Sequence, residues 1–210
     1  MTSFKEDNQM RVTIVRHGET AWNIGETRFR GQIDIELSEN GLKQASKVGK
    51  ALKKEEIEAI FCSPMLRCKQ TADGIKKEHP KAEFFEEPLL IDINFGDWQG
   101  RKHREVFDEN PKMEDYWNNH PEKLIFPNGE SWYHVYERID KFFKKISKKD
   151  YNHIAVVSHR VVLNILFLYL LDLSPKHFWD FQIENASISE ITFEKNGSFK
   201  IIKINDIHHL

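Results

Sequence analysis

Short apolar runs alternate with amphipathic stretches along most of this chain. Val12-Thr13-Ile14-Val15 lies within a β-branched run over Arg11–Val15, bounded by polar residues as a buried strand should be. Ile57–Cys62 and His153–Ser158 share that grammar, and a shorter strand is expected within Lys81–Pro88. Between these runs apolar residues recur at helical spacing. Leu42, Ala45, Val48 and Leu52 predict a helix over 39–54 that Ser38 can cap. Further helices are predicted over 66–79, after the Ser63-Pro64 break, and over 131–147, after the Pro127-Asn128-Gly129 turn. Val161–Leu171 reads as an apolar helix that ends at Leu173-Ser174-Pro175. Ala186–Phe193 and Phe199–Asn205 predict a hairpin around Asn196-Gly197. Residues 1–9 read as a polar lead-in and residues 89–98 as extended chain. Residues 100–130 read as a polar, aromatic segment with short helices near 104–109 and 114–118. The alternation predicts a three-layer α/β sandwich, a mostly parallel central sheet with helices on both faces. A single domain spanning 1–210 is expected, with a small lid-like insertion at about 100–130.

Composition narrows the function. The 210 residues carry 31 basic and 33 acidic side chains, so bulk charge points to neither nucleic acid nor a membrane surface. Val161–Leu171 contains Asn164 and is shorter than the roughly 20 residues that span a bilayer. Met1–Gln9 lacks an apolar signal-peptide core. Two cysteines, Cys62 and Cys68, are too few for a disulfide framework, and no zinc-ligand spacing is present. A cytoplasmic location is expected.

Two of the predicted strands end in histidine. Arg16-His17-Gly18 follows the first, and His159-Arg160 follows Val156-Val157-Ser158. Ligands of open α/β sheets bind at the carboxyl ends of strands. The pattern therefore places two imidazoles and several guanidiniums around one anion, with Gly18 expected to let the backbone turn.

Five motifs in order extend the pattern. They are Arg16-His17-Gly18-Glu19-Thr20 with Trp22-Asn23, Arg30-Gly31-Gln32-Ile33-Asp34, Ser63-Pro64-Met65-Leu66-Arg67, Phe95-Gly96-Asp97-Trp98, and Pro127-Asn128-Gly129-Glu130-Ser131 with Val157-Ser158-His159. Together they resemble the histidine phosphatase superfamily, the phosphoglycerate mutase-like fold, over nearly the whole chain. The resemblance implies a metal-independent phosphomonoesterase, without a cofactor, that acts on a small phosphorylated metabolite. His17 would attack phosphorus and become a phosphohistidine, while Arg16, Arg67 and His159 surround the phosphoryl oxygens. Arginine suits that task because its planar fork matches phosphate. The family's usual proton donor is a glutamate a few residues before Phe95-Gly96; Asp92 stands there, with Glu19 and Asp97 as lesser candidates. Asn23, Glu19, Thr20, Arg30, Gly31 and Arg160 are the further substrate-binding candidates. Arg160 replaces the family's usual glycine, and its head either faces solvent or meets a substrate carboxylate.

Trp22 and Trp98 read as packing residues, and Arg101–Arg104 as a solvated helix start or a selector of anionic substrates. The ending through His208-His209-Leu210 resembles that of a branch with α-ribazole phosphatases and metal-independent phosphoserine phosphatases, where the tail can fold near the site. Two other readings remain: a phosphoglycerate mutase, and a family member that binds phospho-ligands or partners without turnover. The hairpin edge leaves a homodimer open.

Overall fold

The computed structural model describes residues 9–194 and 197–210. The predicted lead-in, apart from Gln9, and Asn196 of the predicted turn lie outside them. The described strands are β1 (Gln9–Arg16), β2 (Ala59–Cys62), β3 (Glu83–Glu86), β4 (His153–Ser158), β5 (Ile188–Glu194) and β6 (Phe199–Asp206). They form one sheet in the order β3-β2-β4-β1-β5-β6. β3, β2, β4 and β1 run parallel, whereas β5 runs antiparallel to both β1 and β6. The sheet is thus mostly parallel, as the alternation predicted.

Its two faces differ in the size of the side chains that cover them. Val12, Ile14, Phe61, Ile154 and Val156 point to one face, against Ile139, Phe142 and Phe143 of α5 (Trp132–Ile146) and the apolar α6 (Arg160–Leu171). Val15, Ile60, Cys62, Ala155 and Val157 point to the other, against α1 (Glu39–Leu52) and α2 (Leu66–Glu78). This period-2 division of each strand is what a sheet covered on both sides requires. Ser38 caps α1 by accepting from the Gly41 amide, 3.0 Å. α1 and α2 cross backbone to backbone. A Cβ on Gly49 would lie 2.0 Å from the Gly74 carbonyl, and one on Gly74 would lie 2.1 Å from the Ala45 carbonyl.

Residues 100–130 contain α3 (His103–Glu109) and α4 (Pro111–Asn119). An aromatic cluster ties them to the 24–36 loop. Fully buried Phe29 stacks on His103 with centroids 4.0 Å apart and meets Phe95, Trp98, Phe107 and Trp117 within 6 Å. Among the described residues, no helix is long and apolar enough to cross a membrane.

Candidate active site

β1 and β4 are neighbours in register, with Arg16 opposite Ser158. Their carboxyl ends therefore deliver His17 and His159 side by side, with ring centroids 5.4 Å apart. Next to them opens a cavity of about 470 Å³. Arg16, His17, Arg30 and Asp92 form its polar end, while Trp22, Phe95, His103, Trp117 and Trp179 supply aromatic wall.

The local geometry fixes the state of His17. Its Nδ1 lies 2.7 Å from the Gly18 carbonyl oxygen, which can only accept, so Nδ1 carries the proton. Nε2 is left unprotonated, its lone pair met only by a long contact from Arg30 Nη1, 3.5 Å. Burial first, then Arg67, Arg16 and Arg30, holds the imidazole well below its ordinary pKa. His17 is accordingly neutral, with one defined nucleophilic nitrogen. The Asn185 amide donates to the His17 carbonyl, 3.1 Å, and so fixes the backbone behind it.

His159 is arranged differently. Its Nε2 is 2.7 Å from Ser63 Oγ and its Nδ1 is 3.5 Å from Asp92 Oδ2. Burial, then Arg67, keeps it too well below the ordinary value. A proton on Nδ1 facing the carboxylate lets a neutral His159 donate without a second proton.

The guanidiniums are crowded. Burial, then Arg160 and Arg30, lowers Arg16 to about 9, and burial, then Arg67, lowers Arg30 to about 10. Both stay charged at neutral pH; burial is the main cause of the depression, and like charges held together add a part that an anion would relieve. Arg16 Nη1 donates to the Ile183 carbonyl at 2.6 Å. Arg67, fully buried, donates through Nη2 to the Gly31 carbonyl at 2.8 Å and to Asp92 Oδ2 at 2.9 Å, and through Nη1 to the Ile33 carbonyl at 3.1 Å. The Nε atoms of Arg16, Arg30 and Arg67 are buried without a hydrogen-bond partner. Gly31 takes φ +52°, and a Cβ there would lie 2.4 Å from Gln99 Oε1 and 2.7 Å from the Ile93 carbonyl. Glycine thus lets this loop bring its carbonyl to Arg67.

Asp92 lines the cavity beside His17. Its Oδ1 accepts from the Ile93 amide at 2.9 Å. Burial lifts its carboxyl above the ordinary value, although Arg67 and Arg30 pull the other way. Two side chains far away in sequence hold the segment that carries it. Arg138 on α5 donates to the carbonyls of Leu89 and Ile91 at 2.8 and 3.0 Å. Glu130 accepts from Arg138 and from the Asn94 amide, 2.9 Å each. Sequence reasoning missed this clamp, because its contacts to the Asp92 segment span 36 residues or more. The Glu130 motif was its one visible trace.

The structure brings Arg16, His17, Asn23, Arg30, Gly31, Asp92 and Arg160 to one cavity wall. Arg67 and His159 lie behind Asp92 and are not part of that wall. Asn23 Oδ1 accepts from both the Thr20 amide and hydroxyl, 2.9 Å each, which leaves the Asn23 NH₂ free to donate.

Several expectations are corrected. Glu19 turns away, taken up by Ser38 Oγ at 2.7 Å and Asn40 Nδ2 at 3.2 Å, and Thr20 is fully buried under Asn23; neither reaches the cavity. Asp97 is bonded to Asn128 outside it. Gly18 serves close approach rather than a turn, since a Cβ would lie 2.8 Å from the Gly41 carbonyl. Trp98 packs in the core, but Trp22 lines the cavity with the Arg28 guanidinium 5.7 Å over its ring. His103 alone of residues 101–104 lines the cavity. His208 bonds Asp206 and His209 bonds the Ala186 carbonyl, both outside it.

Comparison with known proteins identifies the family. The profile of the histidine phosphatase superfamily (branch 1) matches residues 12–207. The chain is 35% identical to phosphoserine phosphatase 1 of Hydrogenobacter thermophilus, over 96% of this chain and 94% of that protein. It is 31% identical to a metal-independent phosphoserine phosphatase of Arabidopsis thaliana, over 98% and 85%. Among solved structures, Bacillus stearothermophilus YhfR superposes with a TM-score of 0.88 at 27% identity, over 95% of this chain and 98% of that one. The chain belongs to the histidine phosphatase superfamily, branch 1.

Proposed function

We propose that the protein is a phosphomonoesterase that hydrolyses small phosphorylated metabolites through a phosphohistidine on His17. The observation that carries this reading is the His17 tautomer: Nδ1–H is held by the Gly18 carbonyl, and Nε2 is the unprotonated nitrogen, beside Arg30 in a cavity His17 shares with Asp92. The phosphoryl oxygens take hydrogen bonds from Arg16, Arg30 and the Asn23 amide, and the dianion draws on Arg67 and His159, which the Asp92 carboxylate engages in its absence. An added dianion raises the affinity of Asp92 for a proton, so binding loads the acid.

His17 Nε2 then attacks phosphorus in line with the leaving oxygen. The P–O ester bond breaks, its electron pair stays on that oxygen, and Asp92 gives it a proton. In the second half, Asp92 as carboxylate takes a proton from water. The water oxygen attacks phosphorus, the P–N bond breaks, and neutral His17 and inorganic phosphate result. Guanidiniums supply the charge stabilisation, so turnover should survive chelation of divalent metals.

The cavity volume of about 470 Å³ suits a small organic ester. The relatives named for phosphoserine support phosphoserine as one substrate to test. The buried, free thiols of Cys62 and Cys68 suit a reducing compartment. Phosphate release from p-nitrophenyl phosphate and alkyl phosphates in the presence of EDTA tests the reading. Release that persists supports it; no release from any ester refutes it.

A further inference from the structure

Arg160 is the first residue of α6, directly after His159, and lines the cavity. A cation at the positive end of a helix works against the helix dipole. Arg160 also faces Arg16, which its charge depresses. Local electrostatics therefore argue against arginine at this position, and such exceptions concentrate at functional sites.

Its guanidinium lies 5.3 Å from the centroid of the Trp179 ring. Among the described residues it makes no hydrogen bond or ion pair. A guanidinium held over an aromatic face by a cation–π contact keeps its N–H donors free for an anion. The platform is well fixed. The Trp179 indole donates to the Trp117 carbonyl, and buried Asn164 of α6 donates to the Phe178 carbonyl at 2.9 Å, which ties the Trp179 segment to the helix that carries Arg160. Glu184 is the acidic group facing Arg160, and it too lines the cavity, but the two do not close an ion pair. Arg28, which also lines the cavity, donates to the Gly100 carbonyl at 2.8 Å, so Arg160 is the pre-positioned cation there that neither a protein acceptor nor the phosphoryl contacts proposed above engage.

We infer that Arg160 is a specificity-determining residue that binds a second anionic group, a carboxylate, on the alcohol half of the ester. The inference rests on the phosphomonoesterase reading. Its test compares kcat/KM within two pairs of esters that differ by the carboxylate: 3-phosphoglycerate against glycerol 3-phosphate, and phosphoserine against phosphoethanolamine. The wild-type protein should favour the carboxylated member of each pair. Arg160→Leu should lower that preference by about tenfold or more, the worth of a charge-assisted hydrogen bond. Arg160→Lys, which keeps the charge without the fork, should retain part of it. Since each ratio is taken within one variant, a partial loss of folded protein cancels.

A wild-type preference near one, or a preference unchanged in Arg160→Leu, overturns the assignment. An equal loss on both members of each pair does so as well, because it would mean that Arg160 holds the phosphoryl group. If the wild-type protein hydrolyses none of the four esters and not p-nitrophenyl phosphate either, the phosphatase reading itself fails.

Discussion

Replacing Asp92 with Asn separates acid catalysis from folding. Asp92 sits 2.9 Å from fully buried Arg67, and removing one partner of a buried ion pair typically costs about 3–5 kcal/mol. Here the expected cost is far smaller. The Asp92 carboxyl lies above its ordinary pKa because burial outweighs the pull of Arg67 and Arg30, so the fold does not favour the ionised form. Asparagine keeps the volume and an oxygen that can accept from Arg67 Nη2, so that only the Ile93 amide loses its acceptor, at about 1 kcal/mol. Asp92→Asn should therefore melt within a few degrees of the wild type. Its kcat toward alkyl esters such as phosphoserine should fall by roughly 10²–10⁴-fold, the usual worth of a general acid. Toward p-nitrophenyl phosphate, whose leaving group needs no proton, the loss of the phosphorylation rate should be far smaller. The assay is pre-steady-state phosphate transfer from both esters, with a thermal melt on the same sample. Equal losses on both esters, or no loss on the alkyl ester, would refute the assignment of Asp92 as the acid.

The pH profile should be limited on the alkaline side. With alkyl esters, kcat should decline as pH rises through the elevated Asp92 pKa, while depressed His17 stays unprotonated well below its ordinary value; a profile that falls on the acid side near the ordinary histidine value would contradict this. Arg138→Met should destabilise the protein by about 2–4 kcal/mol, since the Leu89 and Ile91 carbonyls lose a charged donor, and should lower alkyl-ester turnover more than p-nitrophenyl phosphate turnover; denaturant unfolding and the two assays check it. Burial lowers His103 and His153 to about 4. Their contribution to stability is fully present above the unfolded value near 6.5 and is lost as pH falls toward 4, because the unfolded chain takes the protons first. Urea midpoints across that window should drop, and His153→Phe should flatten the slope. Gly49→Ala must push α1 from α2 and should cost about 1–3 kcal/mol in the same unfolding assay.

The central strands were legible because β1 and β4 are covered on both faces, so β1 reads as a β-branched run and β4 as an apolar one. The helices of the sandwich were legible from their apolar spacing. β3 was faint: Glu83, Phe84 and Glu86 are exposed at the sheet edge, so no burial pattern marks it. Predicted ends shifted by one or two residues, as at Ile57, which precedes β2, and Ser147, which follows α5. Arg16, His17 and Asp92 could be placed from strand ends and flanking motifs. Glu19 could not, because adjacency to His17 in the chain says nothing about which way the backbone turns next, and Ser38 and Asn40 take its carboxylate. Arg138, Glu184, Asn185 and Trp179 carry no local mark, since only the packing of α5, α6 and the residues before β5 brings them to the site.

The most direct test of the central claim is rapid-quench trapping with a radiolabelled phosphomonoester in EDTA, followed by location of the label. The account predicts an acid-labile phosphoryl group on His17, formed before phosphate is released. It also predicts that His17→Ala forms none and turns over nothing, while still binding inorganic phosphate. Label on another residue, or turnover by His17→Ala at the wild-type rate, would contradict it.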